Sequence, residues 1–362
     1  MSWCLNREIG ESGDGGADQS SRWMAHFSYA CARYTAWLLV LLLVYAMLPG
    51  AVHAKPTLLL NIKSSDSAPW GSEAAAQSMS QLAASGAQGG MVVAFAWQAD
   101  IHADHLQVGA GSDDSHLRLA LRQVRATGMD AVLKLHVWVP SAWAGNIDPD
   151  GSAARASWFA DYTHLAVHLA QLAQQEHVKA FVIANELRTL QDDPHWPALI
   201  LAVRQHYTGK ILYAADSVEQ AERFQYWSLL DAVGTNLYPA LPENQEERRQ
   251  RMQEWAQRVA DLSRRTHKPV WVTEVGIRSA RGSLEKPWES PEERQAQTDL
   301  DLQQHILAEW LQVLGAVKPS IRVVAIWCWY TDPDAGGLTD TDFTIQNKPA
   351  QQLLEGGCCQ LQ

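Results

Sequence analysis

Two glutamates in this chain each close a short apolar run, Phe181-Val-Ile-Ala-Asn-Glu186-Leu-Arg188 and Pro269-Val-Trp-Val-Thr-Glu274-Val-Gly-Ile-Arg278. Such runs read as strands buried on both faces, as in a parallel sheet, with the carboxylate arriving where strand meets loop. Two carboxylates brought together in this way suit the cleavage of a glycosidic bond. One protonates the leaving oxygen and the other meets the oxocarbenium-like carbon as a nucleophile, the retaining arrangement. A lone glutamate at either place would read as a solvated carboxylate in the first turn of a helix. The second glutamate in the same context carries the chemical reading.

Several residues could serve such a pair. Tyr238, next to Pro239, could donate a hydrogen bond to Glu274. Asn185 is either a turn residue or a ligand for a sugar hydroxyl. His136, on an apolar run, is either a satisfied core residue or a donor in the site, and Asn236 closes another run. Trp97, Trp138 and Trp143 could stack on sugar rings or simply fill the core. Trp327 or Trp329 could floor the cleaved sugar, and Arg188 and Arg278 either hold the glutamates or pair with helix carboxylates.

The elements that must position these groups alternate in a regular way. Strands are expected at 57–62, 91–97, 131–137, 180–184, 211–215, 232–236, 270–273 and 322–327. Helices are expected at 72–84, 115–126, 153–175, 197–207, 218–225, 246–265, 291–314 and 348–354. Eight such repeats imply an α/β fold of the (β/α)8, or TIM, barrel type, in one domain, with functional groups at the C-terminal strand ends. A doubly wound open sheet would need a glycine-rich turn after the first strand, and Asn61-Ile-Lys-Ser-Ser-Asp66 has no glycine.

The start of the chain reads as an address. Trp37–Leu48 is unbroken apolar sequence, too short for a membrane span of about 20 residues, and it is followed by Ala51-Val-His-Ala54. Cleavage after Ala54 is expected, with translation starting at Met24, giving a periplasmic or extracellular protein comprising residues 55–362. An uncleaved anchor is the competing reading. Residues 55–362 hold 26 Lys/Arg and 36 Asp/Glu, a net charge of −10 without basic runs. That argues against nucleic acid or an anionic membrane as partner. Cys328, Cys358 and Cys359 form no disulfide framework. Asp332 and Asp334 lack the rest of a calcium loop, so no metal or cofactor is expected. The expected partner is a polysaccharide or oligosaccharide substrate, and the expected state is a monomer.

The ordered motifs resemble glycoside hydrolase family 113, a β-mannanase family of clan A. The likeness rests on Leu133-Lys-Leu-His136, Trp143-Ala-Gly-Asn-Ile147, Trp158-Phe-Ala-Asp-Tyr162 and Val182-Ile-Ala-Asn-Glu-Leu187. It continues through Asp231–Tyr238, Lys268–Ser279 and Asp340–Ala350. The resemblance implies Glu186 as acid/base, Glu274 as nucleophile, Tyr238 as the partner of Glu274, and β-mannan as substrate. Two other classes are compatible with a barrel: a catalytically silent polysaccharide-binding protein, and a metal-dependent hydrolase. The second would need His and Asp ligands at strand ends, and the first strand carries no His-x-His.

Overall fold

The protein is described here by a computed structural model covering residues 56–355, apart from Ala110, Glu292, Lys318 and Pro319. The expected leader, residues 1–54, and the Cys358–Cys359 pair lie outside the described residues.

Eight parallel strands close into a barrel: β1 (Thr57–Lys63), β2 (Gly89–Trp97), β3 (Asp130–Trp138), β4 (Ala180–Asn185), β5 (Lys210–Ala215), β6 (Ala232–Leu237), β7 (Val270–Val275) and β8 (Ile321–Tyr330). Each strand pairs with the next, and β8 returns to β1. Around them run α1 (Glu73–Ala84), α2 (Asp114–Ala126), α3 (Gly151–Gln175), α4 (Trp196–His206), α5 (Val218–Arg223), α6 (Gln245–Thr266) and α7 (Leu300–Ala316). The helices start where side chains can take up their free N–H groups. Ser72 accepts from Ala75, Asp113 from Ser115 and His116, and Asn244 from Glu247.

Strand alternation makes two apolar layers. Leu59, Met91, Val132, Val182, Leu212, Ala232, Trp271 and Val323 fill the barrel, while the opposite faces pack under the helices. Gly234 lets β5 and β6 approach, because a Cβ there would fall 2.3 Å from the Tyr213 carbonyl oxygen. Two residues above each inner layer the same faces reach the mouth. Lys134, His136 and Trp138 follow Val132, and Asn236 and Tyr238 follow Ala232 at that spacing.

Bulges break the alternation where the chemistry sits. The register shifts between Val182 and Ala184 on β4 and between Val272 and Val275 on β7. A bulge inserts a residue and re-aims those after it. Here the shifts let Asn185 face inward and let both Thr273 and Glu274 do so.

Two expectations are corrected, and one short strand is added to them. The helix expected at 291–314 begins only at Leu300, because Asp299 caps it by accepting from Leu302 N. Residues before it are pinned to the exit of β7, with Arg281 N donating to Gln297 O and Asp299 N to Ser279 O. The closing helix is a 3-10 turn, Pro349–Leu354. A two-residue strand, Gln107–Val108, adds antiparallel to the end of β2; two residues are too few to carry a period.

Candidate active site

Glu274 emerges from β7 almost fully buried, and two donors from other strands hold it. The Lys134 ammonium from β3, completely buried, contacts Oε1. The Tyr238 hydroxyl from beyond β6 donates to Oε2 at 2.9 Å. Burial, then the charge of Glu274, pushes the Tyr238 phenol well above its ordinary range, so it stays a donor. Lys134 also donates to Asn61 Oδ1 at 3.1 Å, and Asn61 Nδ2 donates to the Thr273 carbonyl at 3.0 Å. Strands β1, β3, β6 and β7 therefore converge on one carboxylate.

Glu186 lies just beyond β4 in left-handed backbone, φ 60°. Its backbone N–H donates to Ala214 O at 2.9 Å. Its carboxylate accepts from Asn236 Nδ2 at 2.7 Å and from Trp143 Nε1 at 2.9 Å. Burial first, and then the negative charge of Glu274, push the Glu186 carboxyl up to about 7, against the pull of Trp143, Asn236 and Lys134. A carboxyl near 7 carries its proton at neutral pH and can give it up. One glutamate is matched to a buried cation, and its neighbour is kept short of one.

Between them runs an amide chain. Thr273 Oγ1 donates to Asn236 Oδ1 at 2.7 Å, and Asn236 Nδ2 reaches both Glu186 and, at 3.2 Å, Asn185 Oδ1. Asn185 Nδ2 lies 3.0 Å from His136 Nδ1. Since an amide N–H donates, Nδ1 is the acceptor and the ring proton sits on Nε2. Burial, then the charges of Lys134 and Lys63, lower the His136 pKa to about 3. A histidine depressed below its unfolded value of about 6.5 takes up a proton only on unfolding. Stability from this group is therefore fully present above pH 6.5 and is lost as pH falls toward 3. We expect denaturant titrations to show wild type losing up to about 1.4 kcal/mol per pH unit below 6.5 relative to His136→Gln. Equal pH slopes in the two proteins would refute it.

The tryptophans separate by role. Trp97 and Trp138, paired across β2 and β3, stay 39% and 47% exposed at the mouth, with ring centroids 5.8 Å apart and planes 57° apart. Trp143, half-buried, packs against two neighbours. The Arg188 guanidinium lies 4.6 Å from its ring centroid, and a Cβ on Gly145 would fall 2.3–2.5 Å from three atoms of its six-membered ring. Trp327 is half-buried, with Lys134 and Lys63 5.5 and 5.8 Å from its ring centroid.

Two of the expected site residues are not in the site. Trp329 is buried outside the barrel and donates to Ser78 Oγ of α1 at 2.9 Å. The register slip between Asn61 and Ile62 skips Cys328, across a cis Trp327–Cys328 bond, so Trp327 and Trp329 face opposite ways. Arg278 is buried among loop carbonyls, donating to Thr341, Ser290 and Arg294. It ties the loop after β7 to the loop after β8. Arg188 pairs with Asp216.

Sequence reasoning places Asn61 and Lys134 at the C-terminal strand ends without giving either a role, and misses Thr273 as part of the site. A lysine within Ala131-Val-Leu-Lys-Leu was the available signal, since lysine is rarely fully buried without a partner. Among the described residues no group of three or more His, Cys, Asp or Glu is arranged to hold a metal ion. Among them, also, no helix is long and apolar enough to cross a membrane.

Residues 63–348 match the model of Glycoside Hydrolase Family 113. No curated protein matches. Among solved structures, a family 113 β-1,4-mannanase is 21% identical, with 82% of this chain and 97% of that one covered and a TM-score of 0.71. The family 113 β-mannanase of Alicyclobacillus acidocaldarius is 20% identical, with coverage of 83% and 95% and a TM-score of 0.71. A family 5 mannosidase from Rhizomucor miehei is more distant, at 13% identity, 80% and 88% coverage and a TM-score of 0.59.

Proposed function

Because the chain belongs to glycoside hydrolase family 113, we propose that it cleaves a β-linked polysaccharide of the mannan type by double displacement, with Glu186 as acid/base and Glu274 as nucleophile. The observation that carries this reading is the difference in surroundings of the two carboxyls. Glu186 is pushed to about 7, whereas Glu274 is held by Lys134 and Tyr238. In the first step the Glu186 proton passes to the glycosidic oxygen while a Glu274 oxygen bonds to the anomeric carbon and the leaving sugar departs. In the second, Glu186, now a carboxylate, takes a proton from water, whose oxygen displaces Glu274. Each proton given is recovered, so the reaction needs no cofactor.

Substrate specificity comes from outside the carboxylate pair. Asn185, Asn236 and His136 offer polar atoms beside it, Trp327 supplies a floor, and Trp97 with Trp138 supplies two open indole faces along the rim. We expect Trp97→Ala or Trp138→Ala to raise KM on oligosaccharides by about tenfold while leaving kcat within about twofold, the pattern of uniform binding loss. A fall in kcat at constant KM would place both residues elsewhere in the mechanism.

The leader fits export, so the working protein is proposed to start at Lys55, outside the cytoplasm. Intact mass of the protein recovered from its native compartment tests this. A mass including residues 1–54 would mean an uncleaved anchor. The function itself is tested by reducing-end release from β-mannan, glucomannan, β-glucan, xylan and chitosan, with product stereochemistry followed by proton NMR. Retention on mannan is expected. Inversion would remove the nucleophile role from Glu274, and binding without turnover would favour a silent carbohydrate-binding barrel.

A further inference from the structure

One of the two donors to the Glu186 carboxylate is the Trp143 indole N–H, bonded to Oε2 at 2.9 Å. Trp143 follows β3 in a loop with no strand to fix it. Its ring packs on Gly145 and carries the guanidinium of Arg188 4.6 Å from its centroid. Arg188 in turn is fixed by Asp216 at the end of β5, whose Oδ2 accepts from both Nε, at 3.1 Å, and Nη2. The Asp216 side chain is buried, only 3% exposed. The order of contact is thus Asp216, Arg188, the Trp143 ring, and Glu186. A planar guanidinium can lie flat on an indole while its edge bonds a carboxylate, and a lysine cannot do both.

We propose that Arg188 and Asp216 are positioning residues that clamp Trp143 so that its N–H stays on Glu186. The proposal rests on Glu186 being the acid/base. Its experiment has one arm that does not need that reading. A glycine at 145 belongs to the clamp, since any side chain there would displace the ring.

The first arm titrates the Glu186 carboxyl by carbon-13 NMR, assigned by difference from Glu186→Gln, in Trp143→Phe, Arg188→Lys and the double variant. Lysine keeps a cation opposite the buried Asp216, so the fold is retained, which thermal melting checks; Arg188→Ala would strand that charge. The indole bond favours the charged carboxylate, so its loss raises the midpoint. We expect Trp143→Phe to raise it from about 7 by about one pH unit. Arg188→Lys should raise it in the same direction, and should add nothing in the Trp143→Phe background. A wild-type midpoint in Arg188→Lys would overturn the proposal. So would a shift that persists undiminished in the double variant, because Arg188 would then act by its charge alone.

The second arm is kinetic. Arg188→Lys should lower kcat/KM at least tenfold on glycosides with poor leaving groups and spare kcat/KM on aryl glycosides, whose phenolate leaves unaided in the first step. An equal loss on both substrates would mean a general structural defect and overturn the clamp. If no glycan is cleaved by wild type, the mechanism above fails, while the titration still decides whether Arg188 controls Glu186 through Trp143.

Discussion

Glu274→Gln is expected to lower kcat on mannan by on the order of 10⁴-fold or more, since nothing else in the mouth can form the covalent intermediate. The amide keeps the shape, but its single oxygen can accept from Lys134 or Tyr238 and not from both, so some loss of stability accompanies the substitution and kcat is compared on protein shown to be folded. Circular dichroism and melting would check that. A sharper test uses Glu274→Ala with azide. The small anion fits the vacated space, attacks from the nucleophile's side and should restore turnover with an inverted glycosyl azide. In Glu186→Ala, azide should instead intercept the glycosyl-enzyme and give a retained product. The same outcome in both variants would defeat the assignment of roles. A physical correlate accompanies it. The Glu274 charge holds the Glu186 carboxyl up. In Glu274→Gln the Glu186 midpoint should therefore fall below its wild-type value of about 7, read by the same carboxyl titration.

The second large effect is expected from Lys134→Met. Methionine matches the stem of lysine and removes only the ammonium. The loss leaves the Glu274 carboxylate buried without its cation, and breaking one side of a buried pair costs about 3–5 kcal/mol. Asn61 loses its donor as well. Denaturant unfolding should show the destabilisation near neutral pH. Lys134 also pulls the Glu186 carboxyl down, so without it the midpoint of Glu186 rises. Since Glu186 must be protonated for the first step, the alkaline limb of kcat/KM should move from near 7 to higher pH while the maximum falls at least about 100-fold. An unchanged pH profile would mean that Lys134 serves the fold only. Stability equal to wild type would mean that the ammonium is not needed against Glu274 at all.

The parts of this molecule that repeat were legible from sequence. The apolar runs fixed eight strands to within one to three residues at each end, because burial on both faces leaves little choice of residue type. Glu186, Glu274 and Tyr238 stood out because they end such runs. What failed to show was whatever depends on a bulge or on a distant partner. Alternation would place Trp327 and Trp329 on the same face, yet the slip past Cys328 puts Trp329 against Ser78 of α1. Arg278 looked like a guard for Glu274 four residues earlier, whereas it serves carbonyls of two loops. Lys134 carries no visible partner in its own strand, and only the closed barrel brings it to a residue 140 positions later. Pro291 reads as a helix start, but Asp299 offers a side-chain cap and tertiary bonds hold the chain between them in a loop.

The closure of β8 onto β1 bears on how the protein is made. Asn61 waits for Thr273, and Thr331 N donates to the Lys63 carbonyl. Gln346 Nε2 then spans the carbonyls of Tyr330 and Asp332, while buried Lys348 ties Ser279 to Asp342. The first strand is synthesised long before any of these partners exists. Contacts so distant along the chain form late. A nascent chain short of residue 348 therefore has both glutamates but not the wall beside them.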